Sequence, residues 1–521
     1  MAQDRPGGRR PRRARVAKGN MDDLIRQVLT ARVYDVAVRT PLDPAPGLSE
    51  QCGNRVFLKR EDLQPAFSFK VRGAYNRISQ LSAAESRAGV ICASAGNHAQ
   101  GVALSARRLG FSALVVMPRT TPRIKVSAVR RQGAEVVLHG DSYSEAAEHC
   151  ASLARETGRT FIHPFDDPLV IAGQGTIGHE LLQQCPEMDA VFVPVGGGGL
   201  IAGVGAFIKA LRPQTLVIGV QPEDSDAMRR SLAAGQRVTL GHVGIFADGV
   251  AVKRVGEHTF RLAQSCVDEI VTVSTDETCA AIKDIYEETR SIMEPAGALA
   301  VAGLRRHAAA QGWTERNLVA INSGANMNFD RLQFVAERTL TGERREALFA
   351  VTIPERPGAL KFLCEHVVGE RGITEFNYRL ADRGAAHIFV GVAVANAAEK
   401  LAFQGLLTRH GFAHLDLTDN ELAKEHIRHM VGGRAGLTDG EVLYKFEFPE
   451  RPRALGDFLA AMSETWNISL FHYRMHGADF GRVLVGFEIP PDDKPRFRAF
   501  LDNLRYEYEE ETNNPVYRMF L

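Results

Sequence analysis

The stretch DAVFVPVGGGGLIAGVGAFIKALR, residues 189–212, decides the fold. Seven mostly apolar residues of strand length run into four consecutive glycines, and these open onto an apolar segment of helical length. A strand passing through a tight turn into a helix is the repeating unit of a parallel α/β sheet. Successive glycines let a backbone approach a ligand closely, and the N–H groups of a helix start attract an anion. Gly196, Gly197, Gly198, Gly199 and Leu200 therefore read as a phosphate cradle. No Lys-Ser/Thr follows, so the loop is not a nucleotide P-loop. Gly197 to Ala202 also satisfies G-x-G-x-x-A, with Glu223 where a ribose-binding acid would stand. A dinucleotide site and a purely structural turn thus stay open at this point.

The same texture extends on both sides. GVICAS (89–94), SALVVMP (112–118), AEVVLH (134–139) and TLVIGV (215–220) are strand candidates, and helical segments lie between them. Two such clusters predict two lobes with a cleft between. After residue 340 the pattern changes to a repeat. PERPGAL at 354 recurs as PERPRAL at 449, ITEFNYR at 373 as ISLFHYR at 468, and HIFVGVAV at 387 faces RVLVGFEI at 482. All three offsets are 95 residues, so two copies of one module are expected. Each reads strand, Pro-initiated helix (Pro357, Pro452), strand, strand, helix, strand, a ferredoxin-like pattern. The modules are placed at 346–417 and 441–512, with a linker at 418–440.

Composition narrows the function. The chain has 63 Lys+Arg against 62 Asp+Glu in 521 residues, a balance that gives no reason to expect nucleic acid or acidic membranes as partners. Residues 1–20 alone carry six arginines and Lys18 against Asp4. They are expected to form a disordered basic tail, or to precede a natural start at Met21. Seven scattered cysteines without a C-x-x-C pair argue against zinc or disulfides, so no metal site is expected and a reducing cytoplasmic setting is. No apolar run approaches the roughly eighteen residues that span a bilayer.

Three further motifs carry chemistry. Lys70 in PAFSFKVRGAYN (65–76) follows two phenylalanines, Phe67 and Phe69, and two readings stay open here: a snorkelling surface lysine, or a lysine held in a dry pocket those rings help shape, with a neutral, nucleophilic amine. SAGNHAQG (94–101) is another strand-to-helix junction, suited to a substrate carboxylate through Ser94, Gly96, Asn97 and His98. The His98 ring itself reads as structural. INSGANMN (321–328) ends the apolar run LVAINS and supplies Ser323.

Together S-F-K-x-R-G-A, S-A-G-N-H-A-Q-G, the tetraglycine and S-G-A-N resemble the threonine dehydratase branch of the tryptophan-synthase-β-like, fold-type II pyridoxal phosphate enzymes. The doubled module is similar to that branch's ACT-like regulatory pair, as are HMVGGR (429–434), FEFPE (446–450), NISLFHYR (467–474) and ETNNP (511–515). The resemblance implies a two-lobed catalytic domain over 21–340, with a small lobe at about 61–161. It implies Lys70 as the residue joined to pyridoxal 5'-phosphate, Asn97 on the ring oxygen, Gly196 to Leu200 on the phosphate, and Ser323 at the pyridine nitrogen. The implied reaction is conversion of L-threonine, and to some extent L-serine, to its 2-oxo acid and ammonia. A neutral pyridine beside Ser323 is the weaker electron sink and favours loss of the β-group. Related racemases have serine where this chain has Ala95, so racemisation is expected to be weak. Isoleucine inhibition, relief by valine and a homotetramer are implied as well. Tyr378 with Arg379, and Tyr473 with Arg474, are candidate effector contacts. A nicotinamide-dependent dehydrogenase leaves Lys70, Asn97 and Ser323 without tasks, and a non-catalytic amino-acid sensor need not keep Lys70.

Overall fold

The computed structural model describes residues 18–354, 359–369, 371–378, 385–429, 441–449, 458, 461–462, 466–474 and 480–520. Most of the basic tail, Pro357, Arg379, Pro452 and linker positions 430–440 lie outside the described residues. The chain divides into two units between Met327 and Asn328.

The first unit holds two sheets. Strands β1 (Leu42–Pro44), β2 (Arg55–Arg60), β3 (Val90–Ala93), β4 (Ala113–Met117), β5 (Glu135–Leu138), β6 (Thr160–Phe161), β7 (Ala190–Pro194), β8 (Leu216–Pro222), β9 (Glu269–Val273) and β10 (Asn317–Asn322) follow one another along the chain. One sheet runs β1-β2-β10-β7-β8-β9 and the other β5-β4-β3-β6. Every pairing is parallel except β1 with β2. β3, β4 and β7 are buried along their whole length, as parallel strands covered on both faces must be. The core of the larger sheet packs helices Pro168–Gln184 and Gly199–Leu211 through Ile177, Leu181, Ile201 and Phe207.

β2 escapes a periodicity reading because RVFLKR looks polar, yet Lys59 and Arg60 are buried. Lys59 Nζ donates to Glu180 Oε2 at 2.6 Å and to Thr40 O at 2.7 Å. Arg72, fully buried on helix Lys70–Ile78, donates to both oxygens of Glu61 at 2.8 Å each. It also donates to Glu180 at 2.6 and 3.1 Å. Burial alone would oppose the guanidinium charge; the Glu61 and Glu180 carboxylates outweigh it and push its pKa up. These ion pairs tie the helix that begins at Lys70 to β2 and to helix Pro168–Gln184.

The second unit repeats itself in space. β11 (Glu346–Pro354), β12 (Ile373–Tyr378), β13 (Ala385–Ala393) and β14 (Ala413–Asp416) form an antiparallel sheet in the order β12-β13-β11-β14. β15 (Glu441–Pro449), β16 (Asn467–Arg474), β17 (Phe480–Glu488) and β18 (Tyr508–Glu510) form another, in the order β16-β17-β15-β18. The irregularity at Ile373/Glu375 recurs at Ile468/Leu470, so even the bulge keeps the 95-residue offset. Alternation along β11 divides its two faces: Phe349, Val351 and Ile353 enter the first module's core, whereas Leu348 and Ala350 join Leu443 and Leu484 in a core shared by both modules. Helix Arg331–Gly342 is grouped with this unit, and Arg338 on it pairs with Glu421 at 2.7 Å and Glu425 at 3.2 Å.

Because both carboxylates lose a buried partner, Arg72→Met should cost the first unit about 3–5 kcal/mol. Trp313 and Trp466 are the chain's two tryptophans, one in each unit, so urea unfolding followed by Trp313 fluorescence in a Trp466→Phe background reads the first unit alone. A loss below about 1 kcal/mol would show that the ion network does not hold this helix in place.

Candidate active site

Four candidate segments follow the carboxyl ends of parallel strands, where α/β sheets bind ligands. β2 leads to Lys70, β3 to Ser94–Asn97, β7 to the tetraglycine and β10 to Ser323. The Lys70 and Ser323 segments are joined by backbone. Phe69 N donates to Ser323 O at 3.2 Å, Ala325 N donates to Phe67 O at 2.9 Å, and Ser68 bridges Gly324.

Lys70 is partly buried and its Nζ donates to Pro164 O at 3.1 Å. Burial lowers its pKa to about 8, while the charge of Glu294 pulls the other way. The Phe69 ring lies 5.2 Å from Nζ and is buried. Phe67 corrects the expectation of a second wall. It is 57% exposed, with φ +53, because the turn that pairs with Ala325 directs its side chain outward.

The neighbour of Pro164 reaches the glycines. A β-carbon on Gly197 would lie 2.3 Å from the Phe165 ring, and one on Gly199 2.9 Å from Phe165 O. Gly198 has φ +100, a conformation that side chains resist. Helix Gly199–Leu211 starts at the cradle, so its first N–H groups lack intrahelical acceptors. Thr259 Oγ1 donates to Gly197 O at 2.7 Å and braces the loop from helix Glu257–Cys266. Pro164 thus accepts from the Lys70 amine while the next residue, Phe165, packs against the cradle. The turn HPFDDP (163–168) was not singled out in the sequence. Its signals are Asp167, which caps helix Pro168–Gln184 by accepting from Leu169 N and Val170 N, and Pro168 at that helix's first position. His163 Nδ1 accepts from Asp166 N at 2.7 Å and holds the turn.

Asn97 begins helix Asn97–Leu109. Its Nδ2 donates to Glu294 Oε1 at 2.5 Å, and its Oδ1 accepts from Asn326 Nδ2 at 2.6 Å. Ser94 Oγ accepts from Gly96 N at 3.3 Å, and a β-carbon on Gly96 would meet nothing within 4 Å, so this turn faces open space. His98 is different: its ring is buried, with Nε2 2.8 Å from Ile162 O, and burial pushes its pKa down to about 3. Ser323 is buried and its Oγ is 3.4 Å from Ala296 O, a long bond that leaves the hydroxyl hydrogen available to a better acceptor. Glu223 and Asp226 are engaged elsewhere. Glu223 accepts from Arg306 at 2.9 Å, and buried Asp226 accepts from Arg229 and, at 2.7 Å, from Arg230. Among the described residues no helix is long and apolar enough to cross a membrane, and no group of three or more His, Cys, Asp or Glu is placed to hold a metal.

This donor set fits pyridoxal phosphate: an amine of depressed pKa, a glycine cradle with no room for side chains, a buried hydroxyl and an amide. Known proteins agree. Residues 33–324 match the family described as "Pyridoxal-phosphate dependent enzyme". Residues 337–427 and 432–521 each match the "C-terminal regulatory domain of Threonine dehydratase". The L-threonine dehydratase biosynthetic IlvA of Burkholderia multivorans is 57% identical over 96% of this chain and 99% of its own length. Its Escherichia coli counterpart is 51% identical over 96% and 97%. The solved structure of processed threonine deaminase isoform 2 from Solanum lycopersicum is 50% identical, with a TM-score of 0.61, and covers 62% of this chain and 94% of that one.

Gly197→Ala should weaken pyridoxal phosphate binding about tenfold or more, because the added methyl must displace Phe165. Titrating cofactor into the variant while recording the visible circular dichroism of the bound cofactor checks this. An affinity equal to wild type would remove the tetraglycine from the site.

Proposed function

The chain belongs to the family of pyridoxal-phosphate-dependent enzymes and carries two copies of the threonine dehydratase regulatory domain, and on that footing we infer that it converts L-threonine to 2-oxobutanoate and ammonia under allosteric control. The observation that carries this reading is the Lys70 amine, of depressed pKa, linked through Pro164 and Phe165 to the tetraglycine cradle.

The cofactor, when bound, withdraws electrons from the substrate's Cα and acidifies its proton. The chain supplies the rest. The N–H groups of Gly196 to Leu200 hold the phosphate at the helix start, Asn97 meets the ring oxygen and Ser323 the ring nitrogen. Backbone groups of the Ser94, Gly96, Asn97 and His98 turn take the substrate carboxylate. Lys70 Nζ removes the Cα proton; an amine of pKa about 8 is neutral in a useful fraction near pH 7–8. The Cβ–oxygen bond breaks with its electron pair on oxygen, which takes up one proton, balancing the one Lys70 removed from Cα, and departs as water. Hydrolysis of the resulting enamine consumes one water and yields the oxo acid and ammonia. Ala95 has no proton to deliver from the opposite face of Cα, which disfavours racemisation. L-Serine, lacking only a methyl, is a slower substrate.

The regulatory modules bind amino-acid effectors: isoleucine inhibits and valine relieves. Tyr378 pairs in register with Ile388, and Tyr473 with Val483, at equivalent positions of the two modules. With Arg474 they form the candidate effector contacts. The enzyme works as a homotetramer in the cytoplasm, with the modules as copies of a regulatory domain at 346–417 and 441–512 and the catalytic domain at 21–340. The dehydrogenase reading loses its acid, since Glu223 is committed to Arg306.

Purified protein should be yellow and should consume threonine. Lys70→Ala should lose the borohydride-sensitive colour and at least about a thousandfold in turnover; a variant that keeps both would end this reading. Tyr378→Ala and Tyr473→Ala should each raise the isoleucine concentration for half-inhibition about tenfold, without changing uninhibited turnover. An unaltered inhibition curve would exclude both tyrosines from the effector sites.

A further inference from the structure

Glu294 stands out because its side chain faces the candidate site. It precedes helix Pro295–Gln311 at the capping position, yet makes no side-chain cap hydrogen bond. The residue is 5% exposed. Its Oε1 accepts from Asn97 Nδ2 at 2.5 Å, and its backbone N–H donates to Gly324 O at 3.2 Å. A β-carbon on Gly324 would approach Oε1 to 2.6 Å, so the S-G-A-N segment leaves just enough space for this carboxylate.

The consequence for Asn97 is geometric. A carboxylate only accepts hydrogen bonds, so the amide must turn its nitrogen towards Glu294. Its oxygen is then taken by Asn326 Nδ2, which also donates to Ala66 O at 2.9 Å. A flipped amide would set oxygen against carboxylate and nitrogen against nitrogen. One Asn97 N–H therefore remains to donate into the cleft, and only a donor stabilises an anionic ring oxygen.

We propose that Glu294 is a positioning residue of this site, which orients the Asn97 amide as a donor and sets a fixed negative charge beside the Lys70 amine. The proposal rests on the cofactor reading above. Of the groups that act on Lys70, His98 and His163 are driven towards their neutral forms, chiefly by burial. The charge of Glu294 opposes the desolvation of the ammonium. Glutamine at 294 can still present an oxygen to Asn97 Nδ2 and so removes only the charge. Alanine removes both charge and acceptor.

The test compares full-length wild type, Glu294→Gln and Glu294→Ala. In cofactor-free protein, trinitrobenzenesulfonate labelling of Lys70, located by peptide mass, gives the pH midpoint of its amine. Pyridoxal phosphate affinity is then measured by equilibrium dialysis. Glu294→Gln should move the midpoint below that of wild type and label about three- to fivefold faster at pH 7, with affinity within about threefold. Glu294→Ala should show the same midpoint shift and an affinity at least about tenfold weaker. A Glu294→Gln midpoint equal to wild type overturns the charge role. Equal affinities for Glu294→Ala and wild type overturn the orienting role. If Glu294→Ala does not fold, a drop of more than about tenfold in the affinity of Glu294→Gln overturns the orienting role instead. Wild type that binds no pyridoxal phosphate would end the parent reading, an outcome distinct from all of these.

Discussion

The buried guanidinium of Arg72, held between Glu61 and Glu180, is the constraint on which the catalytic unit turns. Lone charges are costly in a protein interior, but here every carboxylate oxygen has a donor: Thr40 and Gln64 complete Glu61, and Lys59 and Tyr34 complete Glu180. The network spans the 3-10 turn after β2, helix Lys70–Ile78 and helix Pro168–Gln184. It fixes the azimuth of a helix whose first residue is the reactive lysine. A displacement of about 1 Å at Lys70 would matter to chemistry far more than to stability. Ionic anchoring is directional, as apolar packing is not, which suits a residue that must point at one place.

The site that results is made of strand ends and helix starts. Backbone hydrogen bonds between residues 67–69 and 323–325 stitch two motifs that lie some 250 positions apart in sequence. The turn at Pro164 and Phe165 links the amine to the glycines. Lys70 therefore owes its lowered pKa to burial first, with Glu294 keeping that shift moderate.

The second unit solves a different problem with repetition. Two ferredoxin-like sheets keep one register offset, and β11 of the first buries both of its faces, one in its own core and one in the core shared by the pair. Charged groups also gather beside the shared core: Glu425 lies between Arg338 and Arg482, and Glu346 pairs with Arg428 at 3.3 Å. Such an arrangement couples the modules to each other and to helix Arg331–Gly342, whose sequence follows directly on the Ser323 segment.

Much of this was legible in the residues. Alternating apolar runs and helices determined a parallel α/β unit, the 95-residue repeat determined twin modules, and glycine, lysine, asparagine and serine in distinctive local settings marked the site. Those are properties of short windows, where periodicity and turn chemistry act. Tertiary structure alone decided the rest. It buried Lys59 and Arg72, turned Phe67 outward, inserted the Pro164–Phe165 step between amine and cradle, and brought Glu294 against Asn97. No local pattern encodes these, because a charge is stabilised in the interior only by partners that the chain delivers from tens to hundreds of residues away.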